Sequence, residues 1–286
     1  MELDFNLIHI TDPGDSRLGP FLHLPLRKAA GRLSEGLFIA EGRMVVERLL
    51  RSPYQPAGLV ITNNKLEWCQ AVVRAATNVR PDLQSLPIYV LPDDVLNQVV
   101  GFEFHSGIMG SGLRTVPPAL QQLMTDWFAP RLHNAATSET LVVLPAMNSA
   151  ENLGSIIRSA QGLGAAGLVL SSQSADHLSR RVIRVSMGHA LAFPCWRSED
   201  WIDDLRRLRA VGFRLIGIEH HARMQPLATA KRSTRQALIF GNEFAGLDDA
   251  TLEMMDDVVG IEMQNEVDSL NVAVTAAIAL HHFVPS

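Results

Sequence analysis

The 286-residue chain is 47% hydrophobic and 19% charged, which excludes a disordered polymer and leaves room for two domains of ordinary size. A formal net charge of −5 argues against a generic polycationic nucleic-acid coat, and two distant cysteines, Cys69 and Cys195, indicate neither a disulfide framework nor a zinc site. That cysteine usage fits the reducing cytoplasm; no signal peptide is expected, and the longest apolar stretch, Val272 to Leu280, is far short of the ~20 residues a membrane span needs.

Residues 1–23 are turn-rich, with Thr11-Asp12-Pro13-Gly14-Asp15 at their centre, and are expected to form an extension over a first domain. Residues 24–115 mix short helices and strands. Met44 to Leu50 is amphipathic, Gly58 to Thr62 and Ile88 to Leu91 read as strands, and Pro92 to Val100 reads as a helix. Val116-Pro117-Pro118 closes this domain, because consecutive prolines stop regular structure. Residues 116–138 read as a linker with one short helix around Leu120 to Trp127.

Residues 139–286 have a different texture. Apolar strand runs are expected at Leu141–Leu144, Gly167–Leu170, Leu191–Pro194, Arg214–Ile218, Ala237–Phe240 and Val258–Glu262, alternating with helices at Leu153–Leu163, Asp200–Ala210 and Ser269–Phe283. Continuous apolar strands alternating with helices predict an α/β fold with a parallel sheet covered on both faces, whose ligands sit beyond the strands' carboxyl ends. Gly162-Leu163-Gly164-Ala165-Ala166-Gly167 matches the dinucleotide pattern in letters but follows a helix and enters a strand. A helix C-cap with a tight turn is the better reading.

Three clusters are candidates for chemistry. Asn152-Leu153-Gly154, with Arg158 on the face opposite Leu153, Ile156, Ile157 and Ala160, puts an amide, a glycine and a guanidinium near a helix start that attracts anions. Gly241-Asn242-Glu243 follows the strand ending at Phe240, and Gly246-Leu247-Asp248 opens the next helix, with Asp248 as its cap. Ser269-Leu270-Asn271 opens a helix that is apolar nearly all round, with Ser269 expected as its cap. Such a helix is expected to be buried in the core or against a second subunit.

Only three of the 25 basic residues are lysines, so 22 are arginine; they gather at 27–32, 43–51, 180–184 and 231–235. Such clusters serve either as solvated faces or as phosphate contacts, and composition alone leaves both open. His220-His221 and His281-His282 are read as surface histidines, since adjacent side chains do not converge on one ion; no metal site is expected.

The three clusters, in this order, resemble the three motifs of the SpoU (TrmH-like) family of SPOUT RNA ribose 2′-O-methyltransferases, over about 139–286. Asn152 with Gly154 and Arg158 is similar to motif one, Phe240 to Leu247 to motif two, and Ile261 with Met263 through Ser269-Leu270-Asn271 to motif three. The N-terminal part is similar to the family's RNA-binding α/β domain, through Phe38-Ile39-Ala40-Glu41-Gly42 and Phe104-His105-Ser106-Gly107.

The resemblance implies a C-terminal SPOUT domain with a trefoil knot and a smaller α/β RNA-binding domain, a homodimer, S-adenosylmethionine as methyl donor, and transfer or ribosomal RNA as substrate. Carried over residue by residue, Gly217, Gly241, Ile261, Met263 and Leu270 would bind the donor. Asn152, Arg158, Glu243, Ser269 and Asn271 would form the catalytic set. Arg158 would anchor a nucleotide phosphate and stabilise the developing alkoxide, since a guanidinium stays protonated. Glu243 would orient it, and Ser269 or Asn271 would position the hydroxyl. The chain departs from the family pattern at Glu262 (usually proline), Asn265 (usually glycine) and Ser106 (often arginine). The first two lie in the donor-binding loop, so the alternative is a knotted RNA-binding dimer with weak or lost methyl transfer.

Overall fold

A computed structural model describes residues 5–22, 24, 36–122, 138–220, 224–242, 245–265 and 267–284. Contacts divide these residues into two units. One holds the chain up to Thr115 together with Asp176–Ala192; the other holds the rest.

The first unit is built from β1 (Leu7–His9), β2 (Leu37–Glu41), α1 (Arg43–Arg51), β3 (Pro56–Thr62), α2 (Leu66–Thr77), β4 (Ile88–Leu91), α3 (Asp93–Val100) and β5 (Ile108–Leu113). Its sheet runs β1-β4-β3-β5-β2, parallel through β1, β4 and β3 and antiparallel at β5 and β2. Strand periodicity sends alternate side chains to opposite faces. Val60 and Met109 therefore join the core under α3, whereas Leu59, Ile61 and Ile108 join the core under α1 and α2. The N-terminal stretch expected to wrap as an extension instead contributes β1, paired in register with β4, and buries Leu18 and Phe21. Alternation over three residues is too short to separate such an edge strand from a turn.

Asp176–Ala192, although it follows a strand of the second unit, packs in the first. There Arg180 on α6 (Arg180–Val185) donates to Glu41 Oε2 from Nε at 2.9 Å and from a terminal nitrogen at 2.7 Å, and its guanidinium stacks over Phe102. Arg114 likewise pairs with Asp176 at 2.6 Å. At least one arginine of the 180–184 cluster is thus spent on internal pairing. The cluster at 27–32 lies outside the described residues.

The second unit contains α4 (Leu120–Gln122), β6 (Glu139–Leu144), α5 (Ala150–Leu163), β7 (Gly167–Ser171), β8 (Cys195–Ser198), α7 (Trp201–Ala210), β9 (Arg214–Ile218), β10 (Gln225–Pro226), β11 (Arg235–Phe240), α8 (Asp249–Glu253), β12 (Asp257–Gly260) and α9 (Val272–Phe283). Of the helix expected over Leu120–Trp127, only its first residues are described. All seven strands are parallel, in the order β10-β12-β9-β11-β6-β7-β8. The central strands β6, β7, β9 and β11 are buried nearly throughout, as continuous apolar runs require.

Two strand positions differ from expectation. Leu191 ends a 3-10 turn, and the strand comes later, at Cys195–Ser198, where Trp196 covers Gly167. The last strand ends at Gly260 rather than Glu262. The dinucleotide-like glycines behave as a C-cap and turn: Gly164 has φ 87° and caps α5, and Gly167 starts β7.

Candidate active site

The carboxyl ends of β9, β11 and β12 open on one cavity of about 590 Å³. Its wall is drawn from three loops: Ile218 to His220, Gly241 to Leu247, and Gly260 to Thr275. Each loop follows a parallel strand, so the position is the one such sheets provide.

The loop after β11 is pinned at both ends. Asn242 and Gly246 exchange backbone hydrogen bonds of 3.0 and 2.9 Å, and Asn242 Nδ2 donates to the Ala146 carbonyl beyond β6 at 3.0 Å. Closing the loop this tightly brings backbone onto backbone. A Cβ on Gly241 would stand 2.5 Å from the Gly246 carbonyl carbon and 2.7 Å from the Leu247 nitrogen, so glycine is required there by the loop itself. Asp248 caps α8 by accepting from the Thr251 N–H at 2.7 Å, as its sequence position predicts. Glu243 lies in this loop outside the described residues.

The loop after β12 leads into α9. The helix cap is Asn271, not Ser269: the Asn271 Oδ1 accepts from the Ala273 and Val274 N–H groups at 2.9 and 3.4 Å. Serine and asparagine both favour this position, and sequence spacing alone did not separate them. Its other amide atom carries the contact that joins two motifs. Asn271 Nδ2 donates to Asn152 Oδ1 at 3.0 Å, tying the start of α9 to the first turn of α5. The α5 cap is Ser149, which places Asn152 third in the helix, where its own N–H donates to the Ser149 hydroxyl. Ser269 is exposed on the cavity wall, with its hydroxyl making no hydrogen bond to described residues.

The expected set is therefore distributed as follows. Gly241, Ile261, Met263, Leu270, Ser269 and Asn271 line the cavity, and Asn152 is bonded to one of them. Gly217 does not line it; this glycine sits inside β9, where a Cβ would press on Met255 and Leu247 at 3.0 and 3.2 Å. Arg158 is exposed on α5, opposite the buried Leu153, Ile156, Ile157 and Ala160, without an ion pair among the described residues.

Two further positions bear on the site. Asn265 adopts φ 56°, the left-handed region where asparagine is the best substitute for glycine. This departure from the family pattern therefore keeps the backbone path a glycine would take. Glu262 is exposed and is not part of the cavity wall. Glu219, absent from the sequence-derived set, lines the cavity and bonds the Leu247 N–H at 2.9 Å. An acid immediately past an apolar strand was the available signal.

An open parallel α/β sheet with a cavity at its carboxyl edge, walled by glycine loops and an amide-capped helix, defines a small-molecule-binding α/β protein. A family model described as the SpoU rRNA Methylase family matches residues 139–281. An uncharacterised tRNA/rRNA methyltransferase of Mycobacterium tuberculosis is 36% identical, over 95% of this chain and 90% of its own length. A 23S rRNA (guanosine(2553)-2′-O)-methyltransferase of Bacillus subtilis, RlmP, is 28% identical over 88% of this chain and 90% of the relative. An AdoMet-bound rRNA methyltransferase from Sinorhizobium meliloti shares the fold, with TM-score 0.76, 23% identity and 97% of both chains covered. The chain belongs to the SpoU family of RNA methyltransferases.

Proposed function

We propose that the protein transfers the methyl group of S-adenosylmethionine to a ribose 2′-hydroxyl of ribosomal or transfer RNA. The observation that carries this reading is the meeting of the three motif segments: two wall one cavity, and the Asn271–Asn152 side-chain hydrogen bond joins them to the third. The cavity fits the donor, since its volume lies within the range of cofactor pockets and glycines 241, 246 and 260 are among the residues lining it. The donor supplies an activated methyl on sulfur. Gly241, Ile261, Met263 and Leu270 hold it, largely through backbone.

A ribose hydroxyl is a weak nucleophile, so the chain's part is to align it and to stabilise negative charge on its oxygen. Ser269, with an uncommitted hydroxyl on the wall, positions the 2′-oxygen; Asn271 spends its side chain on the helix cap and on Asn152 and acts through that frame. Arg158 is exposed and free to meet an RNA phosphate. Glu243 orients Arg158, and the first unit supplies further RNA contact.

A homodimer completes the reading. Val267, Leu270, Val274 and Ile278 leave 49%, 37%, 49% and 40% of their surface exposed, a stripe along one side of α9 and its lead-in. Only the opposite side, Ala276, Ala279, Leu280 and Phe283, is buried within the chain. We further propose that the chain is knotted around the donor; the insertion of β11 between β6 and β9, strands already laid down, is compatible with it. The non-catalytic alternative loses support, because Asn265 preserves the loop's backbone and Glu262 stays off the wall.

The test is methyl transfer from labelled donor to 23S rRNA and tRNA transcripts, with products mapped by resistance of the modified linkage to alkali. Arg158→Ala should lower kcat at least 100-fold with donor affinity changed less than about threefold, consistent with loss of transition-state stabilisation. Alkali-sensitive product, or an unchanged kcat in Arg158→Ala, would refute the assignment.

A further inference from the structure

Beyond the end of β9 lies a cavity side chain for which the motif pattern gives no role. Glu219 is the first residue past the strand, and its backbone N–H donates to the Val259 carbonyl at 3.0 Å, so the turn stays in sheet register. Its carboxylate reaches across the end of β11. Oε2 accepts from the Leu247 N–H at 2.9 Å and Oε1 from the His220 N–H at 3.1 Å. Oε2 also lies 2.8 and 2.6 Å from where a Cβ would stand on Gly241 and Gly246, so the carboxylate rests on the bare backbone of both glycines. No ion pair among the described residues neutralises it. Each oxygen of an ionised carboxylate offers two acceptor positions, and among the described residues each oxygen here has one donor, which leaves a second acceptor position on each.

We infer that Glu219 is a ribose-binding residue of this cavity, its carboxylate accepting the vicinal hydroxyls of the methyl donor's nucleoside; the inference rests on the donor-pocket reading above. The chemistry is specific. A carboxylate is acceptor-only, with two oxygens spaced to take the two O–H groups of a vicinal diol. An acid just past a parallel strand is also the residue type that holds a nucleotide ribose in other open α/β sheets. Glycine at 241 and 246 then serves a second purpose: it leaves the carboxylate room to lie against the loop backbone at the cavity wall.

Calorimetry tests this with S-adenosylmethionine, S-adenosylhomocysteine and the 2′-deoxy and 3′-deoxy forms of the latter, against the unaltered protein, Glu219→Ala and Glu219→Gln. In the unaltered protein, removing either hydroxyl should weaken binding about tenfold, the scale of a hydrogen bond to a charged group. In Glu219→Ala the parent ligand should already have lost at least that factor and up to about 100-fold, since both hydroxyl contacts go, and removing a hydroxyl should cost less than about twofold more, because its partner is already absent. Glu219→Gln keeps an acceptor for the Leu247 N–H, so it carries the comparison if the alanine variant does not fold, and its hydroxyl penalties should fall in the same sense. Equal hydroxyl penalties with and without the carboxylate would overturn the assignment, since a merely structural Glu219 leaves them unchanged. A loss confined to S-adenosylmethionine would also overturn it, by assigning the carboxylate to the sulfonium charge. Absence of binding of any probe to the unaltered protein would instead overturn the donor-pocket reading, and the role of Glu219 with it.

Discussion

The hydrogen bond between the Asn271 and Asn152 side chains joins the starts of α9 and α5, and substitutions can separate the two roles of Asn271. Asn271→Ser keeps a capping oxygen for α9 and deletes the Nδ2 donor to Asn152; Asn271→Ala deletes both. A cap is worth about 1 kcal/mol, and an exposed side-chain hydrogen bond about 0.5 kcal/mol. Asn271→Ser should therefore cost about 0.5 kcal/mol and Asn271→Ala about 1.5 kcal/mol. At roughly 2–4 °C per kcal/mol for a unit of this size, thermal unfolding should fall by about 1–2 °C and about 3–6 °C respectively. Asn152→Ala should cost at least as much as Asn271→Ser, and the double variant Asn152→Ala/Asn271→Ser should cost no more than Asn152→Ala alone. Methyl transfer should respond more steeply. Because the bond fixes the helix starts relative to each other, kcat should drop about 10–100-fold in both single variants while donor affinity stays within about threefold. Additive stability losses across the pair, or an unchanged kcat in Asn271→Ser, would refute the view that this bond sets the geometry.

Gly241→Ala should reduce donor affinity, measured by calorimetry, at least tenfold and destabilise by about 1–3 kcal/mol, since its Cβ would meet backbone that cannot yield without opening the loop. At Asn265, glycine should be neutral to within about 0.5 kcal/mol in chemical denaturation, whereas Asn265→Val should cost about 1–2 kcal/mol because a β-branched residue resists φ 56°. Acid unfolding should respond to Asp257, whose carboxyl is held below its usual range by the hydrogen bond from Arg214. A depressed folded-state value stabilises above the unfolded value and is lost on acidification. The advantage of the unaltered protein over Asp257→Asn should thus be complete at pH 6 and shrink as pH falls below about 4.

Much of the site is legible in the sequence, because its parts announce themselves locally. The glycine at the end of an apolar strand, the acid opening α8 and the apolar face of α5 each follow from a few neighbouring residues, and each is found where expected. The Ser269 cap and the strand at Leu191–Pro194 failed for the same reason: adjacent residues had comparable local preferences, and long-range packing chose between them. Trp196 over Gly167 draws the strand to Cys195–Ser198, and the bond to Asn152 accompanies the cap at Asn271.

By itself the sequence determined the alternation of strands and helices, the parallel sheet of the second half and the three motif segments, since hydrophobic period and turn chemistry act within a few residues. Tertiary structure alone decided the strand order, the inclusion of β1 and of Asp176–Ala192 in the first unit, and the arrival of Glu219 on two glycines distant from it in the chain. Those features depend on contacts between residues far apart in sequence, whose free energies arise only once the sheet has brought them together.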